Sequence, residues 1–141
     1  MQEARSRRKF LAVAGTTATA GLAGCLGLFE PSDYDIGMTA AAFTPETLTV
    51  SAGTTVVWQN TSSRGHTVTA YEDTLPEGAS FFATGGYETE AEARDAWQSE
   101  GDGAIDTNET FEHTFEIPGE YGYVCLPHET GGMIGTIEVT E

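Results

Sequence analysis

The feature that most constrains the fold of this chain is a nine-residue segment near its C-terminal end, residues 125–133, with the sequence CLPHETGGM. It carries a thiol (Cys125), an imidazole (His128) and a thioether (Met133) in the spacing C-x2-H-x4-M, between two strand-like runs. Any one of these residues alone would be interpreted as a small buried side chain, a loop residue or core filler. Three such donors on one loop that also contains Gly and Pro predict a metal site instead.

The donor types in this segment, called the ligand loop below, favour copper. An ion that cycles between Cu(I) and Cu(II) accepts a soft thiolate, borderline imidazoles and a weak, long axial thioether in a trigonal site. Zinc would more often recruit further Cys, His or carboxylates and would rarely take a Met. The trigonal site needs a second imidazole, and besides His128 the chain contains only His66 and His113.

Three segments resemble the plastocyanin/halocyanin branch of the cupredoxins: the ligand loop, the sequence GHTV at 65–68 and the run TFEHTFEIPGEY at 110–121. The resemblance covers about residues 36–141, and azurin-type proteins space the corresponding residues differently. His113 lies mid-strand between two Phe and matches no ligand position of the family, so we expect it to be a structural residue. The resemblance implies one copper ion in a type 1 (blue) mononuclear site with four ligands: His66, Cys125, His128 and Met133.

Each ligand type implies a role. The Cys125 thiolate would form the strong, coloured bond, and the two imidazoles of His66 and His128 would complete the trigonal plane. Met133 would be a distant axial donor that tunes the reduction potential. No position is left open for a substrate, so the resemblance implies a mobile one-electron carrier rather than an enzyme.

One departure from the family is Thr67, where many plastocyanins carry Asn. In the family that Asn helps to tie the two ligand-bearing loops together, and we expect a hydroxyl to tie them less rigidly. Hydrogen bonds around the ligands tune such sites, so the potential cannot be copied from relatives. The resemblance also implies that the edge of His128 reaches the surface among apolar residues such as Leu126 and Pro127, where redox partner proteins would dock.

Three other functions remain open from the sequence. A copper storage or delivery protein of the same fold would bind Cu(I) through Met-rich runs, whereas only Met38 and Met133 follow the expected leader. A copper enzyme such as a nitrite reductase or multicopper oxidase needs a second copper site, for which three His are too few. A metal-free adhesion sandwich would leave the ligand loop unexplained.

Composition limits the possible partners. The chain carries 22 acidic residues against six Lys plus Arg, a formal net charge of −16. After residue 24 the only cations are Arg64 and Arg94, against 21 acidic residues, which excludes nucleic acid as a partner and indicates a surface adapted to high salt. Seven Phe, five Tyr and two Trp suffice for the core of one domain, and we expect a monomer.

Residues 1–24 are predicted to be a signal peptide. The sequence SRRKFL at 6–11 resembles the twin-arginine export motif, and the mildly apolar run after it is too short for a span of about 20 apolar residues. The run ends in LAGC at 22–25, which resembles a lipobox, so lipid on Cys25 would anchor the protein to the outer face of the cytoplasmic membrane. Residues 25–35 would form an acidic tether; a secreted protein cut elsewhere is the alternative. With Cys25 lipidated and Cys125 on the metal, no disulfide is expected.

From residue 36 onward the pattern is that of short β-strands with period two, separated by turn residues. The clearest strand places Val56 and Trp58 on one face, and another strand is expected over 66–71. Met38 falls in the first strand, which argues against it as an axial ligand. Residues 36–141 are therefore predicted to be an all-β, cupredoxin-like Greek-key β-sandwich.

An insertion relative to smaller plastocyanins spans residues 72–106. Within it the sequence TEAE at 89–92 fits a capping box, and residues of good helix propensity follow. We predict one short helix at about Thr89 to Ser99 with Gly101 as its stop, and we expect Trp97 to pack against the sandwich.

Overall fold

The computed structural model describes residues 33–141, so the predicted signal peptide, Cys25 and most of the predicted tether lie outside the described residues. The strands in this part of the chain are β1 (Ile36–Met38), β2 (Phe43–Thr44), β3 (Thr47–Ser51), β4 (Thr54–Asn60), β5 (Thr69–Ala70), β6 (Thr110–Phe115), β7 (Gly119–Val124) and β8 (Ile134–Thr140). One α-helix, α1, spans Glu90–Glu100, and 3-10 turns cover Glu72–Thr74 and Leu126–Gly131. Within residues 33–141 no helix has the length and apolar character needed to cross a membrane.

The strands form two four-stranded sheets with the orders β2-β1-β4-β6 and β3-β8-β7-β5. The pairs β1/β4 and β3/β8 are parallel, and the remaining pairs are antiparallel. The prediction of an all-β sandwich with one short helix in an inserted loop is confirmed by these two sheets.

The core between the sheets is centred on Trp58, which is fully buried. Side chains in β4 alternate in burial along the strand, as period two requires, and Val56 and Trp58 share the inner face as predicted. Around the Trp58 ring lie the aromatic rings of Phe82, Phe111, Phe115 and Tyr123, with centroids 5.3–6.3 Å away. Phe82 comes from the insertion, so the inserted segment contributes to the core.

The ligand loop connects β7 to β8 at one end of the second sheet. These strands are antiparallel with Val124 opposite Ile134, so Cys125 and Met133 face each other where the ladder ends. The Cys125 N–H donates to the Met133 carbonyl at 3.0 Å, which extends the pairing by one step. The loop therefore starts and ends at two of the predicted ligands.

The strand expected over 66–71 is wrong in its extent, because regular pairing with β7 is limited to Thr69–Ala70. The backbone of the preceding residues pairs with the insertion instead. His66 and Ile105 exchange two backbone hydrogen bonds of 3.3 and 2.8 Å, and the Thr84 N–H donates to the Val68 carbonyl at 2.8 Å. These contacts fix the position of His66 without a regular strand.

Helix α1 confirms the predicted helix to within one residue at each end. The Thr89 hydroxyl accepts from the Glu92 N–H at 3.1 Å, which is the N-terminal half of the predicted capping box. Gly101 ends the helix in the left-handed region with φ 65°, a conformation that glycine adopts without steric cost. The expected packing of Trp97 stays a prediction, and its side chain is half-buried.

Candidate metal centre

Three of the four predicted ligands meet at the end of the sandwich. The Cys125 Sγ lies 3.5 Å from His66 Nδ1 and 3.3 Å from His128 Nδ1. The donor atoms of all three residues lie within 4.8 Å of one another. Donors at these separations can share one ion at metal–ligand distances of about 2.0–2.3 Å.

Met133, the fourth predicted ligand, is 1% exposed and belongs to the same cluster of buried residues as Cys125. Its N–H donates to the His128 carbonyl at 3.2 Å, and its carbonyl accepts from Cys125. Met133 is thus hydrogen-bonded through its backbone to two other predicted ligands. A buried thiol, two imidazoles and a buried thioether are the donor set of a trigonal copper site with a weak axial ligand, so these residues fit copper.

The orientation of His66 is fixed from the side away from Cys125. The Ser62 Oγ lies 3.0 Å from His66 Nε2, and the same hydroxyl can donate to Asn60 Oδ1 at 2.9 Å. With Ser62 donating to Asn60, His66 Nε2 carries the proton and Nδ1 presents a lone pair toward Cys125. Burial, with a smaller contribution from His128, also lowers the pKa of His66 and favours the neutral, ligating form.

Thr67 holds the Cys125 end of the ligand loop. Its hydroxyl accepts from the Leu126 N–H at 2.8 Å, so the expected tie between the two ligand-bearing segments is present with Thr in place of Asn. Burial raises the pKa of the Cys125 thiol, whereas hydrogen bonds from Thr67 and His128 act in the opposite direction. A bound cation is therefore what would stabilise the thiolate in this buried position.

His128 is the most accessible of the three clustered donors. It is half-buried, while His66 and Cys125 are fully buried. Leu126 and Pro127 beside it are half-buried as well, and Ile134, just beyond the loop, is 39% exposed. The site thus reaches the surface at His128, which follows two half-buried apolar residues in the chain.

Comparison with known proteins decides the family. The sequence model of the "Copper binding proteins, plastocyanin/azurin family" matches residues 32–140. The chain belongs to this family of cupredoxins. A plastocyanin of Scenedesmus fuscus is 36% identical over 100 residues, which are 71% of this chain and 88% of that protein. Copper is therefore the metal of this cupredoxin site, in agreement with its donor set.

Two solved structures show the same fold. A purple cupredoxin from Nitrosopumilus maritimus superposes with a TM-score of 0.51 at 22% identity, covering 77% of this chain and 100% of that chain. A copper-containing nitrite reductase from Thermus scotoductus superposes with a TM-score of 0.56 at 26% identity, covering 79% of this chain and 23% of that chain. The cupredoxin sandwich predicted from the sequence is thus confirmed.

Two residues were set aside as ligands in the sequence, and one of them, His113, is outside the donor cluster of this cupredoxin. The His113 ring stacks on Phe82 with centroids 4.6 Å apart and an interplanar angle of 26°, within the core side of β6. Met38 is fully buried in β1. His113 is not in the group of His66, Cys125 and His128, which is the potential metal-binding group of His, Cys, Asp or Glu found within residues 33–141.

Sequence reasoning missed two sets of contacts around the cupredoxin site. The first is the Ser62 hydroxyl on His66, for which the only signal was a polar loop before the histidine. The second surrounds Glu129, which is hydrogen-bonded by Arg94 of α1 and by the Tyr71 hydroxyl. Arg94 lowers the pKa of Glu129, whereas burial and the bond to Glu129 raise the pKa of Tyr71 to about 12. For this set the signal was that Arg94 is one of only two cations after residue 24.

Proposed function

We propose that this cupredoxin is a mobile one-electron carrier whose type 1 copper is held by four ligands: His66, Cys125, His128 and Met133. The observation that carries the proposal is the position of the Cys125 sulfur, 3.5 Å from His66 Nδ1 and 3.3 Å from His128 Nδ1. Bound copper would supply the one-electron change between Cu(I) and Cu(II).

The protein would contribute a fixed arrangement of donors. The His66 ring is held by Ser62, and the Cys125 end of the loop is held by Thr67. Both are contacts to groups other than the metal, so they persist in either oxidation state. Small rearrangement of the ligands on electron transfer is the property that a carrier needs and that a copper-exchanging protein does not.

The visible spectrum of the purified protein with added Cu(II), recorded before and after reduction, tests this proposal. We expect an intense thiolate-to-copper band that bleaches on reduction and returns on oxidation. A colourless complex, or a band that does not cycle, would contradict a blue copper site. The same sample gives the reduction potential by voltammetry.

A copper storage or delivery protein is the alternative within the same fold. Such a protein would release Cu(I) readily, whereas buried donors held by hydrogen bonds favour slow release. We expect transfer of Cu(I) to a chelator such as bicinchoninate to take far longer than electron exchange. Fast copper transfer without a reversible one-electron wave would favour storage or delivery.

We further propose that the protein is not an enzyme. The nitrite reductase that shares the fold is matched over only 23% of its own chain, so the similarity extends to one cupredoxin-sized part of it. After the proposed ligands are assigned, His113 is the only His left in the chain, and it packs against Phe82. Absence of nitrite reduction and of phenol oxidation by the copper-loaded protein is the expected result; turnover of either would contradict it.

For location, we propose export by the twin-arginine route and anchoring through lipid on Cys25, as in a halocyanin-type lipoprotein. The support is in the sequence: SRRKFL at 6–11 and LAGC at 22–25. In an expressing archaeal or bacterial host, Cys25→Ser is expected to move the protein from the membrane to the soluble fraction. Equal membrane fractions for wild type and Cys25→Ser would contradict lipid anchoring. The double variant Arg7→Lys/Arg8→Lys tests the export route.

We propose that the protein is a monomer and that its partners are redox proteins, which dock on an apolar rim around His128. Ile134, Leu126 and Pro127 supply the apolar contact, and the imidazole edge would pass the electron. In molar salt the Debye length is about 3 Å, so the acidic surface can hardly steer partners. The electron self-exchange rate of the copper protein should then vary little between two and four molar salt, and Ile134→Glu should lower it; a steep fall with salt would contradict docking through this rim.

A further inference from the structure

The inserted helix is joined to the ligand loop by a forked ion pair. Arg94 of α1 donates from Nη1 to Glu129 Oε1 at 2.8 Å and from Nη2 to Glu129 Oε2 at 3.1 Å. Its Nε donates to Glu90 Oε2 at 2.8 Å, one turn earlier on the helix. Both ion pairs found within residues 33–141 belong to this one guanidinium.

The carboxylate that receives the fork is also fixed from another side. The Tyr71 hydroxyl donates to Glu129 Oε2 at 2.8 Å, and the Arg94 guanidinium carbon lies 5.9 Å from the centre of the Tyr71 ring. Side chains of Arg94 and Glu129 keep 30% and 34% of their surface exposed. Isolated ion pairs at such exposure contribute little to stability. A two-bonded arginine fork within a network, however, fixes the geometry of the carboxylate as well as pairing its charge.

Glu129 directly follows His128 in the ligand loop. Its carbonyl accepts from the Gly132 N–H at 2.9 Å, so the backbone of Glu129 shapes the turn that leads to Met133. The next three residues, 130–132, are exposed. Arg94 and Tyr71 are therefore the side chains outside the loop that hold its centre, between two of the proposed ligands.

The other ligands have supports elsewhere in the sandwich. His66 is held by Ser62 and by pairing with Ile105, and the Cys125 end is held by Thr67. His128 is held within the loop through its backbone, because its N–H donates to the Cys125 carbonyl at 3.1 Å and its carbonyl accepts from the Met133 N–H at 3.2 Å. From outside the loop, the support next to it is the fork on its neighbour Glu129. His66 and Cys125 are fully buried, whereas His128 is half-buried, so packing restrains His128 least. We therefore expect contacts from outside the loop to matter most for His128.

We infer that the inserted helix is a part of the metal site: Arg94 is a positioning residue that fixes the ligand loop at Glu129 and thereby the His128 ligand. This inference rests on the proposed copper function of the four ligands. It gives the insertion at 72–106 a role in setting copper affinity and reduction potential. Coupling of this kind is reciprocal, so copper binding should also protect α1 from local opening.

Three single variants and one control distinguish the effect of the fork geometry from the effect of the positive charge. Arg94→Gln and Glu129→Gln each remove it, while Arg94→Lys keeps the positive charge and loses the planar fork. Asp95→Asn is the matched control, because Asp95 is exposed on the same helix and neither ion pair found within residues 33–141 involves it. The double variant Arg94→Gln/Glu129→Gln tests whether the two residues act as one unit.

The readouts are Cu(II) affinity by chelator competition, reduction potential, the copper hyperfine splitting in electron paramagnetic resonance, and amide exchange of α1 with and without copper. We expect Arg94→Gln and Glu129→Gln each to weaken affinity by roughly tenfold, with the double variant little worse than either single one. Arg94→Lys should shift the potential and hyperfine splitting although the charge is unchanged. Asp95→Asn should match wild type in all four measurements.

Several outcomes would overturn the inference. Wild-type affinity, potential and hyperfine splitting in Arg94→Gln would show that the fork does not position the ligand. If the reduction potential of Arg94→Lys equals that of wild type and only Arg94→Gln is shifted, the positive charge and not the fork would account for the effect. Additive losses in the double variant would contradict a single coupled unit. If Arg94→Gln fails to fold, judged by circular dichroism of the copper-free chain, Arg94→Lys and Glu129→Gln decide the question.

Failure of the proposed function would look different. In that case wild-type protein itself would lack the blue band and the reversible wave, before any variant is compared. Failure of this inference alone would leave wild type blue and reversible, with Arg94→Gln and Glu129→Gln indistinguishable from it.

Discussion

The Ser62 hydroxyl lies 3.0 Å from His66 Nε2, while Nδ1 of the same ring lies 3.5 Å from the Cys125 sulfur. The two nitrogens of one imidazole are thus used for different purposes, one for orientation and one for the metal. Because metal-binding His residues are tuned by the group on their second nitrogen, Ser62 is expected to influence the copper although it does not touch it.

Replacement of this hydroxyl is the first prediction. Ser62→Ala should lower Cu(II) affinity by roughly tenfold, because the ring loses the partner that fixes its tautomer. Ser62→Thr keeps the hydroxyl and is the matched control, with affinity close to wild type. Chelator competition measures both, and equal affinities for Ala and Thr would show that the ring is held by other contacts.

The choice of ligands is tested at Cys125 and His113. Cys125→Ser should abolish the blue colour, because the intense band requires the thiolate. His113→Ala should leave the band unchanged, since the His113 ring stacks on Phe82 rather than joining the donor cluster. The visible spectrum of each copper-loaded variant is the measurement. A blue Cys125→Ser protein, or a bleached His113→Ala protein, would refute the assignment of ligands.

Met133 is expected to tune the reduction potential of the site, and copper should bind without it. Met133→Leu keeps the buried volume and removes a weak donor to Cu(II), so the protein should stay blue and its reduction potential should rise. Voltammetry of the variant against wild type measures the change. A lower potential, or loss of copper, would mean that the thioether has a different role.

The sequence predicted most of the regular structure because local signals were strong. Alternation in β4 placed Trp58 inside, and a Thr with Glu three residues later began a helix that Gly101 ends. The ligand loop was recognisable because its three donors lie within one segment of nine residues, Cys125 to Met133. These features depend on neighbours along the chain, and that is why a pattern could show them.

The missed contacts of Glu129 are long-range. Arg94 and Glu129 are 35 residues apart in sequence. After residue 24 the chain has 21 acidic residues, and the sequence does not indicate which of them pairs with Arg94. The strand expected over 66–71 was too long for a similar reason, because the backbone of His66 and Val68 bonds to Ile105 and Thr84, which are distant in sequence. No periodicity in the sequence encodes which distant segment supplies a hydrogen bond.

Packing between β7 and β8 gives a prediction about stability. A Cβ at Gly135 would collide with the ring of Tyr123, which is fully buried, whereas a Cβ at Gly131 would meet no atom within 4 Å. Gly135→Ala should therefore lower the free energy of unfolding by about 1–3 kcal/mol, the usual cost of overpacking, while Gly131→Ala should not. Urea unfolding of both copper-free variants measures this difference. A Gly135→Ala protein as stable as wild type would show that Tyr123 has room to move.

His113 is expected to make stability depend on pH. Its ring lies between Phe82 and Phe115, at centroid distances of 4.6 and 4.8 Å, and burial lowers its pKa below the ordinary value of about 6.5. The unfolded chain therefore takes up the proton first, so this contribution to stability is complete above about pH 6.5 and is lost as the pH falls below that value through the lower pKa of the folded state. His113→Gln removes this loss while all carboxylates stay the same. The difference in unfolding free energy between wild type and His113→Gln should then shrink from about pH 7 to about pH 5, and a difference that stays constant over this range would show that the His113 ring titrates as it does in the unfolded chain.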